Sequence, residues 1–453
     1  MKLEHVNEER FAKNLSRAIQ IATISHEDEA DTDWTKFKEF HDFLKEAYPK
    51  TFSTLDVEEV GRAGLILHWK GSDDTLDPIG FLAHQDVVPV APGTEADWTN
   101  PPFSGANDGT FIWGRGALDM KSHLLCIIEG IETLLEEGYT TTRDVYVCLD
   151  YNEEIVAGKD NGAKKIATLL NERGIHFDSI LDEGGGSTDV HAKNILDAHI
   201  TMVGVAEKGY ADYEITVKGL GGHSSFPPKH TALGQLSELI TKIENHPFEP
   251  HFTTPVLAMF STIGNHMSSP LGGLLKRPGV LKPVLKNVMG KNPFTAAMVR
   301  TSTAVTMASA SPAPNVLPET ATCVINFRLL QGDTLASVKK HLEVLAKDYD
   351  ATITLLKGKE ASAVSPTDTR SFHTIDDIFA DGCETSFTTP YLLTACTDSY
   401  HYECICENLY RFSPFSLPSE LMHTPHSTNE RFPVDQITPG VSFFMQYIRR
   451  MNA

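Results

Sequence analysis

The apolar run Phe81–Val90, "FLAHQDVVPV", is interrupted by His84 and Asp86. In an extended chain alternate side chains share a face, so the carboxylate can hold the imidazole. That pairing is how a metal-ligating histidine is usually fixed in tautomer and orientation. A strand end turning polar as it reaches solvent accounts for the pair equally well, so the rest of the chain has to decide. More residues of the same chemistry follow. Asp119 closes "TFIWGRGALD", Glu153 and Glu154 follow "VYVCLDYN", and Asp182 and Glu183 end "SILDE" ahead of three glycines. Each has a plain structural account by itself: a helix N-cap for Asp119, solvated loop charges for Glu153 and Glu154, a turn residue for Asp182. Together they are hard and borderline donors of the kind that hold divalent cations.

The elements around them explain how they would meet. From about residue 60 to 200 strand and helix patterns alternate. "GLILHWKG", "IGFLAHQD", "DVYVCLDYNEE" and "FDSILDEGG" read as strands. "MKSHLLCIIEGIETLLEEG" is helical, with Leu124, Ile127, Ile128, Ile131, Leu134 and Leu135 at three-to-four spacing. Such alternation predicts a mostly parallel α/β sheet, in which ligands gather at the carboxyl ends of the strands. Each donor above follows one of those ends.

Near Gly204 the pattern changes. "ADYEITVKG", the helix "TALGQLSELITKIEN", the strands "STAVTMASA" and "TATCVINFRLL", the helix "TLASVKKHLEVLAKDY" and the strand "ATITLLKG" give the order β-α-β-β-α-β, a ferredoxin-like unit. A stretch containing prolines and glycines runs from about Pro247 to Pro293. The expected organisation is a catalytic domain in two parts, 1–204 and 359–453, with 205–358 inserted as a lid or dimerisation domain.

With 453 residues, two domains are the default. Hydrophobic residues at 41% and charged residues at 22% are ordinary for a soluble globular enzyme. A net charge of −21 argues against nucleic acid, whose phosphates need a basic face. No apolar run approaches the ~20 residues that span a bilayer, and the first helix is amphipathic rather than a signal peptide. Seven scattered cysteines indicate a reducing compartment, so a cytoplasmic location is expected.

The stretches "HQDVVPV", "WGRGALDMKSHL", "NEEIVAGKDNGA", "LDEGGG", "VKGLGGHSSFPP", "PNVLPETATCVINFR", "TDSYHY", "YRFSP" and "HSTNER" occur in this order over almost the whole chain. In combination they resemble the di-zinc metallopeptidases of the aminoacylase and carboxypeptidase G type. The likeness is strongest to their carboxypeptidase S (Gly-X carboxypeptidase) and N-acyl-amino-acid hydrolase branch. The resemblance implies two zinc ions, with cobalt or manganese also suited to the donors. It implies that His84 and Asp182 hold one ion, that Glu154 and His426 hold the other, and that Asp119 bridges them. Asp86 would steady His84, and Glu153 would be the general base. His426 is favoured over His423 by the His-x-x-Asn-Glu spacing. His223 in "GGHSS" would stabilise the oxyanion, often from a partner subunit, so a homodimer is expected. Asn315 and Arg328 would bind substrate, with Arg328 suited to a free carboxylate; a surface ion pair is the plain alternative for that arginine.

The chain departs from the pattern where Tyr400 follows Thr-Asp-Ser in place of a basic residue, and where Ala395 and Cys396 stand in place of glycines. Both changes fall in a loop expected to shape the substrate pocket. The apolar, basic stretch "SSPLGGLLKRPGVLKPVLKNVMG" is either the lining of an acyl-chain pocket or a packed excursion at a dimer contact, and the second is preferred. The expected activity is carboxypeptidase or dipeptidase cleavage of short peptides, with N-acyl-amino-acid hydrolysis the alternative. A non-catalytic relative or a two-metal phosphatase fits less well, because the general base and ligand set are intact.

Overall fold

The computed structural model describes residues 1–155, 160–268, 270–383 and 385–453. Residues 156–159 of the "NEEIVAGKDNGA" stretch, and residue 269 of the apolar, basic one, lie outside them.

A nine-stranded sheet organises the catalytic part. Its strands are β1 (Asp56–Val60), β2 (Gly64–Trp69), β3 (Ile79–His84), β4 (Val145–Asp150), β5 (Ser179–Asp182), β6 (Gly186–Ala192) and β7 (Leu196–Glu207). Beyond the insert the chain adds Phe387–Leu393 and Leu409–Arg411. The middle of the sheet runs β4-β3-β5-(Leu409–Arg411), all parallel, with antiparallel pairings towards both edges. Alternation sorts the side chains. Leu65, Phe81, Val147 and Leu181 go to one face, against helices Ser122–Glu136 and Ile437–Met451. Ile66, Leu82, Cys148 and Ile180 go to the other, against Ile166 and Leu170 of helix Gly162–Glu172. Two covered faces account for the nearly unbroken burial along β3 and β4.

The insert follows directly. Strands β8 (Gly209–Lys218), β9 (Ser302–Ser309), β10 (Thr320–Leu329) and β11 (Ala351–Lys359) form an antiparallel sheet in the order β9-β10-β8-β11. Helices Ala232–Glu244 and Leu335–Ala346 cover one face, packing Leu236, Leu239, Val338 and Leu342 on Tyr213, Ile215 and Phe327. This is the expected β-α-β-β-α-β order.

The stretch of prolines and glycines is helical, at Thr254–His266, Pro270–Leu275, Pro278–Met289 and Pro293–Ala297. Pro255 and Pro278 sit in first helical turns, where a missing N–H costs nothing, so they start helices rather than break them. Leu285 and Met289 pack with Ala206, Leu330 and Leu392 at the junction of the two sheets.

Candidate active site

His84 is the last residue of β3 and is 1% exposed. Its Nδ1 lies 3.0 Å from the main-chain oxygen of Asp86. A carbonyl only accepts, so Nδ1 carries the proton and Nε2 presents its lone pair. Nε2 stands 3.0 Å from Asp119 Oδ1 and 3.3 Å from Glu183 Oε1. The strand-end pairing of His84 with Asp86 therefore exists, but through the backbone; the Asp86 carboxylate is 3.4 Å away. That carboxylate accepts from Ser25 Oγ at 2.5 Å and from the N–H groups of Glu153 and Glu154 at 3.2 and 3.3 Å. Asp86 thus fixes the turn that presents the two glutamates.

Asp119 was open to reading as a helix cap. It lies outside the helix, at φ −115° and ψ 93°, and the regular helix begins at Ser122. Its turn is held by Glu430, which is fully buried. Glu430 accepts from Arg115 Nη1 at 2.6 Å and from the N–H groups of Gly116, Leu118 and Asp119 at 2.9–3.1 Å. Gly116 is required here, because at φ 81° a Cβ would come within 2.5 Å of Val87 Cγ1. So placed, Asp119 points Oδ1 at His84 and Oδ2 at His426 Nε2, 3.1 Å away. His426 Nε2 is also 2.9 Å from Glu154 Oε2. His423 is exposed, and it is His426 that reaches the cluster.

Asp182, the last residue of β5, accepts from the N–H groups of Ser399 at 2.7 Å and Glu183 at 2.8 Å, one on each carboxylate oxygen. The backbone thus orients its carboxylate, and the next residue, Glu183, stands 3.3 Å from His84 Nε2. The chain leaves the strand at this point through Gly184, Gly185 and Gly186, all at positive φ, so strand alternation no longer governs Glu183. His84, Asp119 and Glu154 offer donor atoms within 4.8 Å of one another, as do His84, Glu153 and Glu183.

Asn315 and His223 are brought together elsewhere. His223 is exposed on a two-residue ribbon paired with Val316, and Ser224 N–H donates to Asn315 O at 3.2 Å. Both line an open cleft of about 540 Å³ on the insert. Among the described residues neither is hydrogen-bonded to the carboxylate cluster. Arg328, on β10, makes no ion pair among the described residues; its Nη1 lies 3.4 Å from Cys396 Sγ.

The cluster is strongly acidic inside. Burial, then Asp119, pushes the Glu154 carboxyl up to about 7. Burial and Asp119 push Glu183 up to about 7 as well. Burial, then Glu183, Glu154 and Asp398, raises Glu153 well above the usual carboxylate range. Burial opposes charge on His84, yet Glu183, Asp119 and Asp86 prevail and raise it. Hydrogen bonds to Asp119 and Glu154 lift His426 to about 10. Imidazoles and carboxylates gathered with no Lys or Arg ion-paired to them among the described residues fit divalent cations of the borderline kind.

A model of peptidase family M20/M25/M40 matches residues 80–450. The chain belongs to the M20 peptidase family. This M20 peptidase is 33% identical over 443 residues to the probable carboxypeptidase S-like 2 of Dictyostelium discoideum, covering 97% of its own length and 84% of the relative's. It is also 33% identical over 456 residues to the N-fatty-acyl-amino acid synthase/hydrolase PM20D1 of Mus musculus, covering 98% and 89%. Its fold matches the M20 metallo-carboxypeptidase Sso-CP2 of Sulfolobus solfataricus, with TM-score 0.68 at 16% identity over 98% and 99% of the two chains. Human carnosine dipeptidase 1 gives 0.67 at 14% identity over 98% and 96%. The M20 peptidase is accordingly a hydrolase of the metallopeptidase class.

The resemblance put Asp182, in "LDEGGG", forward as a ligand and gave its neighbour Glu183 no role. Ser25 had no sequence signal at all, 61 positions from its partner Asp86. Glu430 stood in the "HSTNER" motif without a role.

Proposed function

We propose that this chain hydrolyses the amide bond next to a free carboxylate, releasing the C-terminal residue of short peptides. The observation that carries the reading is Glu153, a half-buried carboxylate beside His84 and Glu183. Its side chain has no hydrogen-bond donor of its own among the described residues. Two zinc ions suit the site, with cobalt or manganese as alternatives. His84, Asp119 and Glu183 would hold one, and Asp119, Glu154 and His426 the other, with Asp119 shared. When bound, the ions supply Lewis acidity toward the attacking water and the amide carbonyl. Glu153 accepts the water's proton and returns it to the leaving nitrogen, a double role suited to a carboxyl whose affinity for protons is raised. Asp86 keeps Glu153 and Glu154 in register through their N–H groups. Arg328 receives the free carboxylate, which an unpaired guanidinium fork fits.

His223 and Asn315 lie apart from the cluster in this chain, which supports a homodimer in which a second copy supplies them to stabilise the oxyanion. Seven cysteines, none in a disulfide, support a cytoplasmic location. N-acyl amino acids are the second substrate class, supported by a likeness to the mouse N-fatty-acyl-amino acid synthase/hydrolase equal to that shown to the carboxypeptidase S-like relative.

The test is mass spectrometry of a pooled library of dipeptides and N-acyl amino acids, incubated with zinc-loaded protein and with Glu153→Ala as the blank. Loss of dipeptides supports the first reading, and loss of acylated amino acids alone selects the second. No loss from metal-loaded protein would reject both.

A further inference from the structure

The helix-free face of the insert sheet carries an unusual row. Tyr210 on β8 pairs in register with Arg328 on β10 and with Lys359 on β11. Residues directly opposite on adjacent strands project from the same face, so a cation, an aromatic ring and a second cation stand side by side. With strands ~4.8 Å apart, the backbones of Arg328 and Lys359 are roughly 9–10 Å from each other. The neighbouring residues Ala211 and Phe327 point the other way, into the core under the helices. The Arg328 guanidinium lies 4.8 Å from the centre of the Tyr210 ring and 3.4 Å from Cys396 Sγ. Lys359 Nζ lies 4.5 Å from the centre of the Tyr400 ring. The row therefore faces the loop that carries Cys396 and Tyr400 and whose Ser399 N–H binds Asp182.

The charges here do not balance. Lys359, 13% exposed, pairs with Glu207 at 2.6 Å, and the same glutamate takes the buried Arg411 at 3.3 Å. Asp212 accepts from Tyr210 Oη and Asn326 Nδ2. Arg328 has no carboxylate within 4.0 Å among the described residues. Positive charge in excess at a partly enclosed surface calls for an anion. Lys359 is also close enough to Glu153 to feel its charge.

We infer that Arg328 and Lys359 form a two-cation clamp for the substrate's free carboxylate, with Lys359 as a specificity residue positioned by Glu207 and the Tyr400 ring. The inference rests on the hydrolase reading above and adds the second cation to it. In this chain the carboxylate would be met from two strands of one rung, with Tyr210 as the floor between them.

The experiment measures KM and kcat for a dipeptide, and competitive inhibition by its C-terminal amino acid and by the corresponding amino-acid amide, on metal-loaded protein. Lys359→Met should raise KM and the inhibition constant of the free amino acid ~10- to 100-fold, the range for losing one charge-assisted bond. The amide should bind as before, kcat should change little, and Lys359→Arg should restore most of the loss. Because Lys359→Met leaves Glu207 with one cation fewer, the double variant Lys359→Met/Glu207→Gln is measured alongside it and should behave the same way. Equal effects on acid and amide, or none on either, overturn the clamp while the hydrolase reading stands. A wild-type protein that turns over no substrate with a free carboxylate beside the amide overturns both.

Discussion

Two regions that meet at the Cys396–Tyr400 loop are built with opposite deficits. On the central sheet, Asp86, Asp119, Glu153, Glu154, Asp182, Glu183 and Asp398 converge, and among the described residues the only ion-pair partners of this set are the histidines 84 and 426. On the insert, Arg328 and Lys359 converge, and among the described residues their one ion-paired acid is Glu207, from the end of β7 in the central sheet. A buried charge without a partner is costly, so each deficit indicates what the region accepts: cations in the first, an anion in the second. Glu430 shows what balance looks like in the same neighbourhood. It is as buried as any of these acids, but one guanidinium and three backbone N–H groups satisfy it, so it shapes the turn and has nothing left for a ligand.

The largest effect should follow from taking cations away from the first region. Dialysis of the protein against a chelator should reduce hydrolysis to background and lower Tm, because the carboxylates then repel one another across the cluster. Adding back zinc, cobalt or manganese should restore both, with uptake approaching two ions per chain by elemental analysis. Full activity in demonstrably metal-free protein would break the comparison at its root. Next in size is Glu153→Ala, which should keep its metal and lose ~10²- to 10⁴-fold in kcat. A variant that lost metal and activity together would make Glu153 a ligand rather than a proton carrier.

The neighbouring carboxylates Asp182 and Glu183 provide a finer cut. Glu183→Gln should weaken retention of one ion by more than ~100-fold. Asp182→Asn, which alters a carboxylate already engaged with two backbone N–H groups, should cost ~10- to 100-fold, as expected for a residue that steadies a site from behind. Competition with a chromophoric chelator ranks the two variants. The reverse ranking would restore Asp182 as the ligand.

The contrast between Asp182 and Glu183 also marks how far sequence reading reaches. Period-two and period-3.6 patterns are local, so β3, β4, helix Ser122–Glu136 and the order of the insert were legible, and with them the strand ends where donors gather. Resemblance put Asp182 forward as a ligand, and one residue later, where three glycines turn the chain out of the sheet, a second carboxylate comes to stand beside His84. The segment 254–297 carried no element reading, since prolines punctuate it; Pro255 and Pro278 start helices there. Glu207 and Lys359 carried no signal: each looks like an ordinary strand charge until the fold brings together residues 152 positions apart. Resemblance to a family located the cluster as a whole, while the division of labour within it needed atomic distances.

The smallest effect tests how the second region is held, and it can be read from stability alone. Glu207 is fully buried, and burial by itself would raise its carboxyl; Lys359 and Arg411 outweigh that and hold it below its ordinary value of 4.5. A carboxyl depressed in the folded state binds its proton more readily when the chain is unfolded. Its contribution is therefore complete above pH 4.5 and is lost as pH falls through the lower folded-state value. Glu207→Gln keeps the side chain's shape and its contact with Thr397 while removing the charge. It should cost about 1.5 kcal/mol near neutral pH, the lower end for a hydrogen bond to a charged partner. Below pH 4.5 the gap between variant and wild type should narrow, because the wild-type carboxyl is then taking up its proton as well. Urea melts at pH 7, 5 and 4 measure that gap directly. A difference that stayed constant down to pH 4 would mean that the loss comes from the hydrogen bonds the amide makes differently, and not from the charge of Glu207.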